Sequence, residues 1–537
     1  MEFENTFQVT GYNHTPHAER SIQFTPGGTA IAFDPEETSE SANVHYEDDS
    51  AEEELEIFDR DYHGAREEDN EDEGEEGMCL SETGNERSEY DDSNEEEDVI
   101  EENNQGLQSS RSQGRTVNID ASVLPEPPEY EPFHHAFQPH QRVLHLPETF
   151  QISGSGSRVL DFFGLLFDKE DLEILAENTN LYAQSKGALS VHKRRWYSTS
   201  AGELQVFLAL ILYMGVWQSP QYTDYWAKTY KWPQHSIGKY MSQFRFEQIK
   251  RYIHISPPYE SLSRAEWYRK IQPLSTNLSS KFRKFLIPAS DVAVDEMMVR
   301  FTGRSAHTQR ISSKPIPHGF KILALCEHGY TWDYILTSRL DSFAELNQAL
   351  YTGDLTLSQT SKAVYQLAHT LPYCSHSFTL YMDNYFTNIY LLSALRTLGI
   401  GGCGTARTNS KEYPAVFKFG QRKPCFPHNT ISGVICRDVL AVLWQDNNLV
   451  RFLTTVHSIT GYPNPATSTA NWPLKERRRP RCTPYNRRNI KFAWGHEARK
   501  TLPTPQIAID YNLRMNGVDL SDQFRCYYAT QLRVSRN

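Results

Sequence analysis

Residues 292–301 read VAVDEMMVRF, and two more apolar runs follow closely, FKILALCEHG (320–329) and TWDYILTSRL (331–340). Their β-branched and aromatic content, bounded by polar stretches, predicts three successive strands, with Gly329 at the turn between the last two. A helical stretch around 359–370 leads to a further strand, SFTLYMD (377–383), ending in Asp383-Asn384. The segment NIYLLSALRTLG (388–399) then predicts a helix closed by Gly399. Three antiparallel strands followed by alternating strand and helix point to a mixed α/β core over 286–404.

Upstream, 158–285 reads as mostly helical. Asp168 followed by Asp171 is an N-cap signature ahead of LEILAENTNLYA. Residues 203–217 predict a second helix, and Phe246, Ile249 and Ile253 a third, stopped by Pro257-Pro258. Trp217, Trp226 and Trp232 are expected in the core. Downstream, 405–505 reads as an insertion domain. It holds the strand pair VLAVLWQD and NNLVRFLTTV, split by Asp446-Asn447-Asn448, and then a basic segment at 475–500 with ten Lys or Arg against two Glu. A last helix is expected from near Asp510, within 506–537.

The formal charge of −14 conceals two opposite regions. Residues 34–102 hold 32 Asp or Glu against three Arg and no Lys. With the first 33 residues they carry −31, which leaves +17 on 103–537. So acidic a stretch cannot bury enough apolar surface to offset chain entropy, so 1–125 is expected to be a disordered acidic leader. Residues 126–157 read as an extended Pro-rich linker, with His134, His135, His140 and His145 as ordinary linker residues. The basic body suits a polyanionic partner, nucleic acid first, or else a solvated charged surface. The eight Cys form no C-x-x-C pair and no signal segment opens the chain, which argues against zinc clusters and disulfides and for a reducing compartment. The most apolar window, 204–217, is too short to span a bilayer and contains Gln205, so no membrane association is expected.

Three acids stand out by position. Asp295 lies within an apolar strand, where a carboxylate is costly unless it is paired or metal-bound. Asp383 ends a strand expected to be buried. Asp519 lies in MNGVDLSDQ, with Asp522 three residues on and so on the same helical face. Phosphoryl transfer on DNA uses two divalent cations, and Mg²⁺ favours carboxylate oxygens. Each acid also has a plain structural alternative. Asp295 could be salt-bridged, Asp383-Asn384 an Asx turn, and Asp519 and Asp522 a helix-cap pair. Spacing alone does not decide among them.

In order along the chain, VDEMMVRFTGRS, KPIPHGFKI, YMDNYFTNIYLL and DYNLRMNGVDLSDQ resemble the signature of the piggyBac family of DNA transposases. ELQVFLALILYMGVWQSPQYTDYW, RFEQIKRYIHI and VLWQDNNLVRFLTTVHS extend the resemblance over roughly 158–530. It implies an RNase H-like catalytic core with an inserted domain, and a catalytic triad on Asp295, Asp383 and Asp519 that binds Mg²⁺, with Mn²⁺ as a substitute. Asp522 matches a fourth acid on which the family depends. The implied activity is cut-and-paste transposition of double-stranded DNA through a hairpin intermediate, with insertion at TTAA. A nuclear location and a homodimer are expected with it. Asn516 stands where the family often has Gly. The family continues beyond the position of Asn537 into more helices and a Cys-rich zinc domain, so a truncated copy or gene model is expected. That chain would hold Asp519 loosely and fall short of complete transposition. Arg304, Lys314 and Lys321, and the cluster Arg477, Arg478 and Arg479, are candidate DNA-phosphate contacts. The cluster reads equally as a nuclear-import signal or a solvated loop. Two alternatives stay open: a catalytically inactive domesticated DNA-binding protein, and a scaffold whose acidic leader binds basic nuclear proteins.

Overall fold

The largely apolar run around Asp295 builds the strand at the centre of the sheet. The computed structural model describes residues 116–148, 150, 159–190, 194–228, 233–258, 264–301, 303, 305–312, 314–340, 343, 346–419, 423–459, 472–527 and 530. These all belong to one unit, Ser88–Asn537. The expected leader lies outside the described residues up to position 115. Residues 116–125 carry a short strand, β1 (Thr116–Asn118), and a tight turn capped by Asp120.

The described part of the segment read as a linker, 126–148 and 150, lies against the body of the protein rather than spanning open solvent. β1 pairs in parallel with β10, defined below. Tyr130 is buried, and its hydroxyl donates to the Asp438 carbonyl at 2.7 Å. His135 hydrogen-bonds Thr379 at 3.1 Å, and His140 meets the Pro288 carbonyl at 2.9 Å. Arg142 donates to Glu327 at 2.6 Å. β2 (Val143–Leu144) pairs with β3 (Leu286–Ile287). Aromatic and imidazole side chains between prolines therefore supply contacts that composition alone does not reveal.

Helices follow: α1 (Val159–Leu166), α2 (Lys169–Ser185), α3 (Ala201–Val216), α4 (Gln243–Tyr252) and α5 (Gln272–Phe285). Asp168 and Asp171 form the expected reciprocal capping box at the start of α2. Leu172, Leu175, Leu204, Phe207, Phe246 and Ile249 pack into one core. Trp226 packs against that core, whereas Trp217 is 62% exposed because it follows the end of α3. Trp232 lies outside the described residues. Arg245, 3% exposed, donates to both carboxylate oxygens of Glu203 at 2.7 and 2.6 Å and lies 3.6 Å from the Tyr197 ring centroid. Arg245→Gln is expected to cost about 3 kcal/mol, since it strands a partly buried carboxylate. Urea unfolding would show it, and a loss below about 0.5 kcal/mol would mean the pair does not hold these helices.

The sheet begins with β4 (Asp291–Arg300), β5 (Gln309–Arg310), β6 (His318–Glu327) and β7 (Tyr330–Leu336). The turn between β6 and β7 uses His328 and Gly329, both at positive φ. Then come α6 (Gln359–His369), β8 (Thr379–Met382), α7 (Ile389–Leu398) and β9 (Gly401–Thr405). Beyond lie β10 (Lys423–Cys425), β11 (Ile431–Cys436), β12 (Val439–Gln445) and β13 (Leu449–Thr454). β14 (Leu474–Arg478) and β15 (Arg499–Pro503) form a hairpin-like pair around α8 (Arg487–Trp494). The chain closes with α9 (Gln506–Arg514) and α10 (Gly517–Tyr527).

Nine strands make a mixed sheet in the order β11-β12-β13-β9-β8-β4-β6-β5, with β7 also on β6. β4 runs antiparallel to β6 and parallel to β8, and β8 runs parallel to β9. α6 and α7 cover one face through Val292, Val294, Leu323 and Leu325. Strands β11, β12 and β13 from the 405–505 segment extend this same sheet, because β13 pairs with β9. Where one terminal helix was expected there are two, broken at Met515-Asn516, so Asp510 lies within α9 and Asp519 within α10. No helix among the described residues is long and apolar enough to cross a membrane.

Candidate active site

β4 lies between β6 and β8, with α6 and α7 packed over one face and α10 over the other, so its side chains are buried on both faces. Asp295 is 7% exposed, and its Oδ1 accepts the adjacent Glu296 N–H at 2.7 Å. The parallel register Val294↔Met382 brings the next pair, Asp295 and Asp383, side by side at about 4.8 Å strand spacing. Ala293 and Met297, two residues either side of Asp295, contact α10, which puts Asp295 on the sheet face that this helix covers.

Lys314 reaches into this group. Its Nζ stands 3.9 Å from Asp295 Oδ2 and 3.5 Å from the Glu296 carbonyl. Burial pushes the Asp295 carboxyl up to about 8; Lys314 opposes that rise, and Asp383 and Glu296 add to it. Burial likewise raises the Asp383 carboxyl, with Glu296 beside it, against the Tyr385 N–H and Lys314. Burial works against the Lys314 ammonium, yet Asp295, Glu296, Asp519 and Asp383 together hold its pKa above the ordinary value. Four carboxylates from β4, the end of β8 and α10 thus share the field of one lysine. Asp383 also forms the Asx turn that was its structural alternative, accepting the Tyr385 N–H at 2.8 Å.

α10 is firmly docked, which overturns the expectation that Asp519 sits on a loosely held helix. Val518 is fully buried against Met297, Ala324 and Cys326. The Gly517 carbonyl accepts the Gly329 N–H at 3.1 Å, and Ser521 hydrogen-bonds Thr331 at 2.9 Å. A Cβ on Gly517 would stand 3.0 Å from the Cys326 carbonyl oxygen and 3.3 Å from Ala293 Cβ. Gly517→Val should therefore push α10 off the sheet and cost about 1–3 kcal/mol in thermal unfolding, with faster proteolysis after position 515. Unchanged melting would show that α10 docks without this close approach. Asp519 itself is exposed, and Asp522 pairs with Arg525 at 2.6 Å. Burial raises the Asp522 carboxyl, and Arg525 counters it. Arg525 also donates to the Met298 carbonyl, tying α10 to β4.

A divalent cation suits the chemistry of this group, because hard carboxylate oxygens are gathered in excess over nearby cations and two of them are buried with raised pKa values. As the side chains stand, no three His, Cys, Asp or Glu among the described residues are close enough together to hold a metal ion. Lys314 and Lys321, read from sequence as DNA contacts, are both engaged with acids. Lys321 pairs with Glu296 at 2.6 Å and lies 4.9 Å from the Tyr385 ring centroid. Glu296 was missed in the sequence because its neighbour Asp295 drew the reading. Tyr385 and Arg407 were missed too. Tyr385 is 45% exposed, and Arg407 binds Asn384 at 2.8 Å.

Arg304 lies outside the described residues. Arg477 is engaged in an ion pair with an acid. It donates to both oxygens of Asp446, at 2.9 and 2.5 Å, and packs over Trp444 and Trp494. The cause is a buried acid: burial opposes the charge on Asp446, but His428 and Arg477 hold its carboxyl below the usual range. Arg478 on the same strand is exposed, and Arg479 is half-buried.

A family model described as Transposase IS4 matches residues 159–537 of this chain. Human PiggyBac transposable element-derived protein 3 is 25% identical over 311 residues, covering 56% of this chain and 48% of that protein. The chain belongs to the piggyBac transposase family. Human PiggyBac transposable element-derived protein 2 is 25% identical over 247 residues, covering 46% of this chain and 39% of its own length. This piggyBac-family chain thus spans about half the length, or less, of the curated relatives it matches. The fold is similar to that of the piggyBac transposase in a cryo-EM synaptic complex with hairpin DNA. The TM-score is 0.51 at 17% identity, with 70% of each chain covered.

Proposed function

We propose that this piggyBac-family chain is a transposase or transposase-derived protein that cleaves and joins double-stranded DNA by phosphoryl transfer. What supports this reading is that Asp295 in β4 and Asp383 at the end of the adjacent β8 lie near Lys314, whose ammonium their charges and that of Asp519 stabilise. The strand order β7-β6-β4-β8-β9, antiparallel on one side of β4 and parallel on the other, supports an RNase H-like core. Asp295, Asp383 and Asp519 would hold Mg²⁺, or Mn²⁺ in its place, with Asp522 in support. When bound, the metal activates the attacking oxygen and stabilises the leaving one. β4 and the end of β8 would hold Asp295 and Asp383, and α10 would bring Asp519 towards them. Arg407, exposed at the rim beside Tyr385, would position the phosphate backbone. The reading includes a nuclear location, since chromosomal DNA is the substrate, and a homodimer, since an element has two ends to bring together.

The exposure of Asp519, and the absence among the described residues of three acids grouped closely enough to hold a metal ion, favour a second reading, a DNA-binding protein that does not cut. One experiment separates them. End-labelled duplex carrying the element's own ends is incubated with the protein and Mg²⁺ or Mn²⁺, and strands are resolved under denaturing conditions. Cleavage at the ends supports the transposase. Retardation of the duplex with no cleavage in either metal sinks it in favour of the second reading. Binding itself is expected to weaken steeply with salt, as counterion release requires.

A further inference from the structure

The described chain begins at β1, whose register with β10 is Thr116↔Lys423, Val117↔Pro424 and Asn118↔Cys425. β10 in turn lies against α8. The Tyr485 hydroxyl donates to the Pro424 carbonyl at 2.6 Å, and Asn489 Nδ2 donates to the Phe426 carbonyl at 3.2 Å. Arg488 is near enough for its charge to act on the Cys425 thiol, which burial raises. The polypeptide leading back from Thr116 is therefore anchored beside α8.

α8 divides sharply. Asn489, Ile490, Ala493 and Trp494 are buried, while Arg487, Arg488 and Lys491 are exposed and Phe492 is 79% exposed. Among the described residues, no carboxylate pairs with Arg487, Arg488 or Lys491. Residues 89–102 read EYDDSNEEEDVIEE, nine carboxylates with no Lys or Arg, and contain one apolar pair, Val99-Ile100. The two patterns complement each other: cations around one aromatic ring, and acids around one apolar pair. Only 13 residues, 103–115, separate Glu102 from Thr116, and a chain of that length reaches at most about 45 Å. α8 is about 12 Å long, so its whole exposed face lies within that span.

We propose that the acidic segment 89–102 docks on the exposed Arg487–Arg488–Lys491–Phe492 face of α8, as an internal polyanion that nucleic acid must displace. Tethering through β1 gives the segment an effective concentration in the millimolar range, well above that of a free competitor. The attraction is between exposed charges and so weakens with salt. The docking does not rest on the transposase reading; only the competition with DNA does.

The test uses the full chain. Zero-length carbodiimide coupling, which joins a carboxylate to a lysine amine, is run without DNA at about 50 mM salt, and again at about 500 mM, where screening is severe. The expected product joins Lys491 to a carboxylate within 89–102 and is lost at high salt. Absence of that product at low salt, or its persistence at high salt, overturns the docking. Separately, converting the nine carboxylates to amides should tighten duplex binding about tenfold at low salt. In the Arg487→Gln, Arg488→Gln, Lys491→Gln background the same conversion should change it by less than about twofold. Equal tightening in both backgrounds places the segment elsewhere and overturns the assignment to α8. If the chain binds no DNA at all, the coupling product still decides.

Discussion

Asp295→Ala is expected to reduce metal-dependent strand cleavage by about a thousandfold or more, while leaving duplex binding within about twofold. Metal activation of a phosphoryl centre supplies several kcal/mol of transition-state stabilisation, and each 1.4 kcal/mol is about a factor of ten in rate. Asp295 is buried on β4, between β6 and β8, where its removal leaves a gap that solvent does not readily fill. Glu296, the adjacent acid, is already paired with Lys321. Single-turnover cleavage of labelled duplex measures the rate, and retardation at low salt measures the binding. Residual cleavage within tenfold of the parent would remove Asp295 from the proposed triad.

Asp295→Asn should have the opposite effect on stability, and the effect should depend on pH. An unfolded chain releases this proton near its ordinary value of 3.8, whereas the folded protein holds it to about 8. Between those values the folded state binds more protons than the unfolded one, so stability falls as pH rises through that window and is lowest above it. Asn carries no proton to lose. Its advantage should be absent below about pH 4 and complete above about pH 8, on the order of a few kcal/mol. Differential melting of parent and variant at acidic and mildly alkaline pH, with chelator present, reads this directly. An equal shift in melting temperature at both ends would show that Asp295 ionises as easily folded as unfolded. Together the two variants describe a site whose chemistry is held at a cost to the fold.

β4, β6, β7, β8, β12 and β13 were legible because each runs largely apolar, and Asp295 was legible because it interrupts one of them; β9 (GGCGT) and β14 (LKERR) carry no such signature and were not read. Asp383 showed itself as an acid at a strand end. The role of Lys314 could not be read, since it depends on the loop between β5 and β6 returning its ammonium to β4, 19 residues back. The break between α9 and α10 was missed because Asn516-Gly517 looks mild within an otherwise helical run. Its reason is tertiary: Gly517 must approach the Cys326 carbonyl too closely for a side chain. The inward pairing of Arg477 was hidden for a similar reason. A run of arginines looks uniform in sequence, yet one faces inward to Asp446, 31 residues away, while Arg478 beside it faces out. The prolines of 124–137 rightly indicated extended backbone but gave no sign of the slot that receives Tyr130.

That slot bears on how the chain is made. Tyr130 closes onto Asp438, and β1 onto residues 423–425, across about 300 residues of intervening sequence. At 5–20 residues per second of synthesis, roughly 15–60 s pass between the appearance of the first partner and that of the second. During that interval β1 and Tyr130 lack these two partners, although His140 and Arg142 behind them can already meet Pro288, Ser290 and Glu327. Contacts between such distant positions also form slowly for reasons of loop entropy. A transcript ending before codon 423 would thus leave β1 and Tyr130 without the residues they close onto.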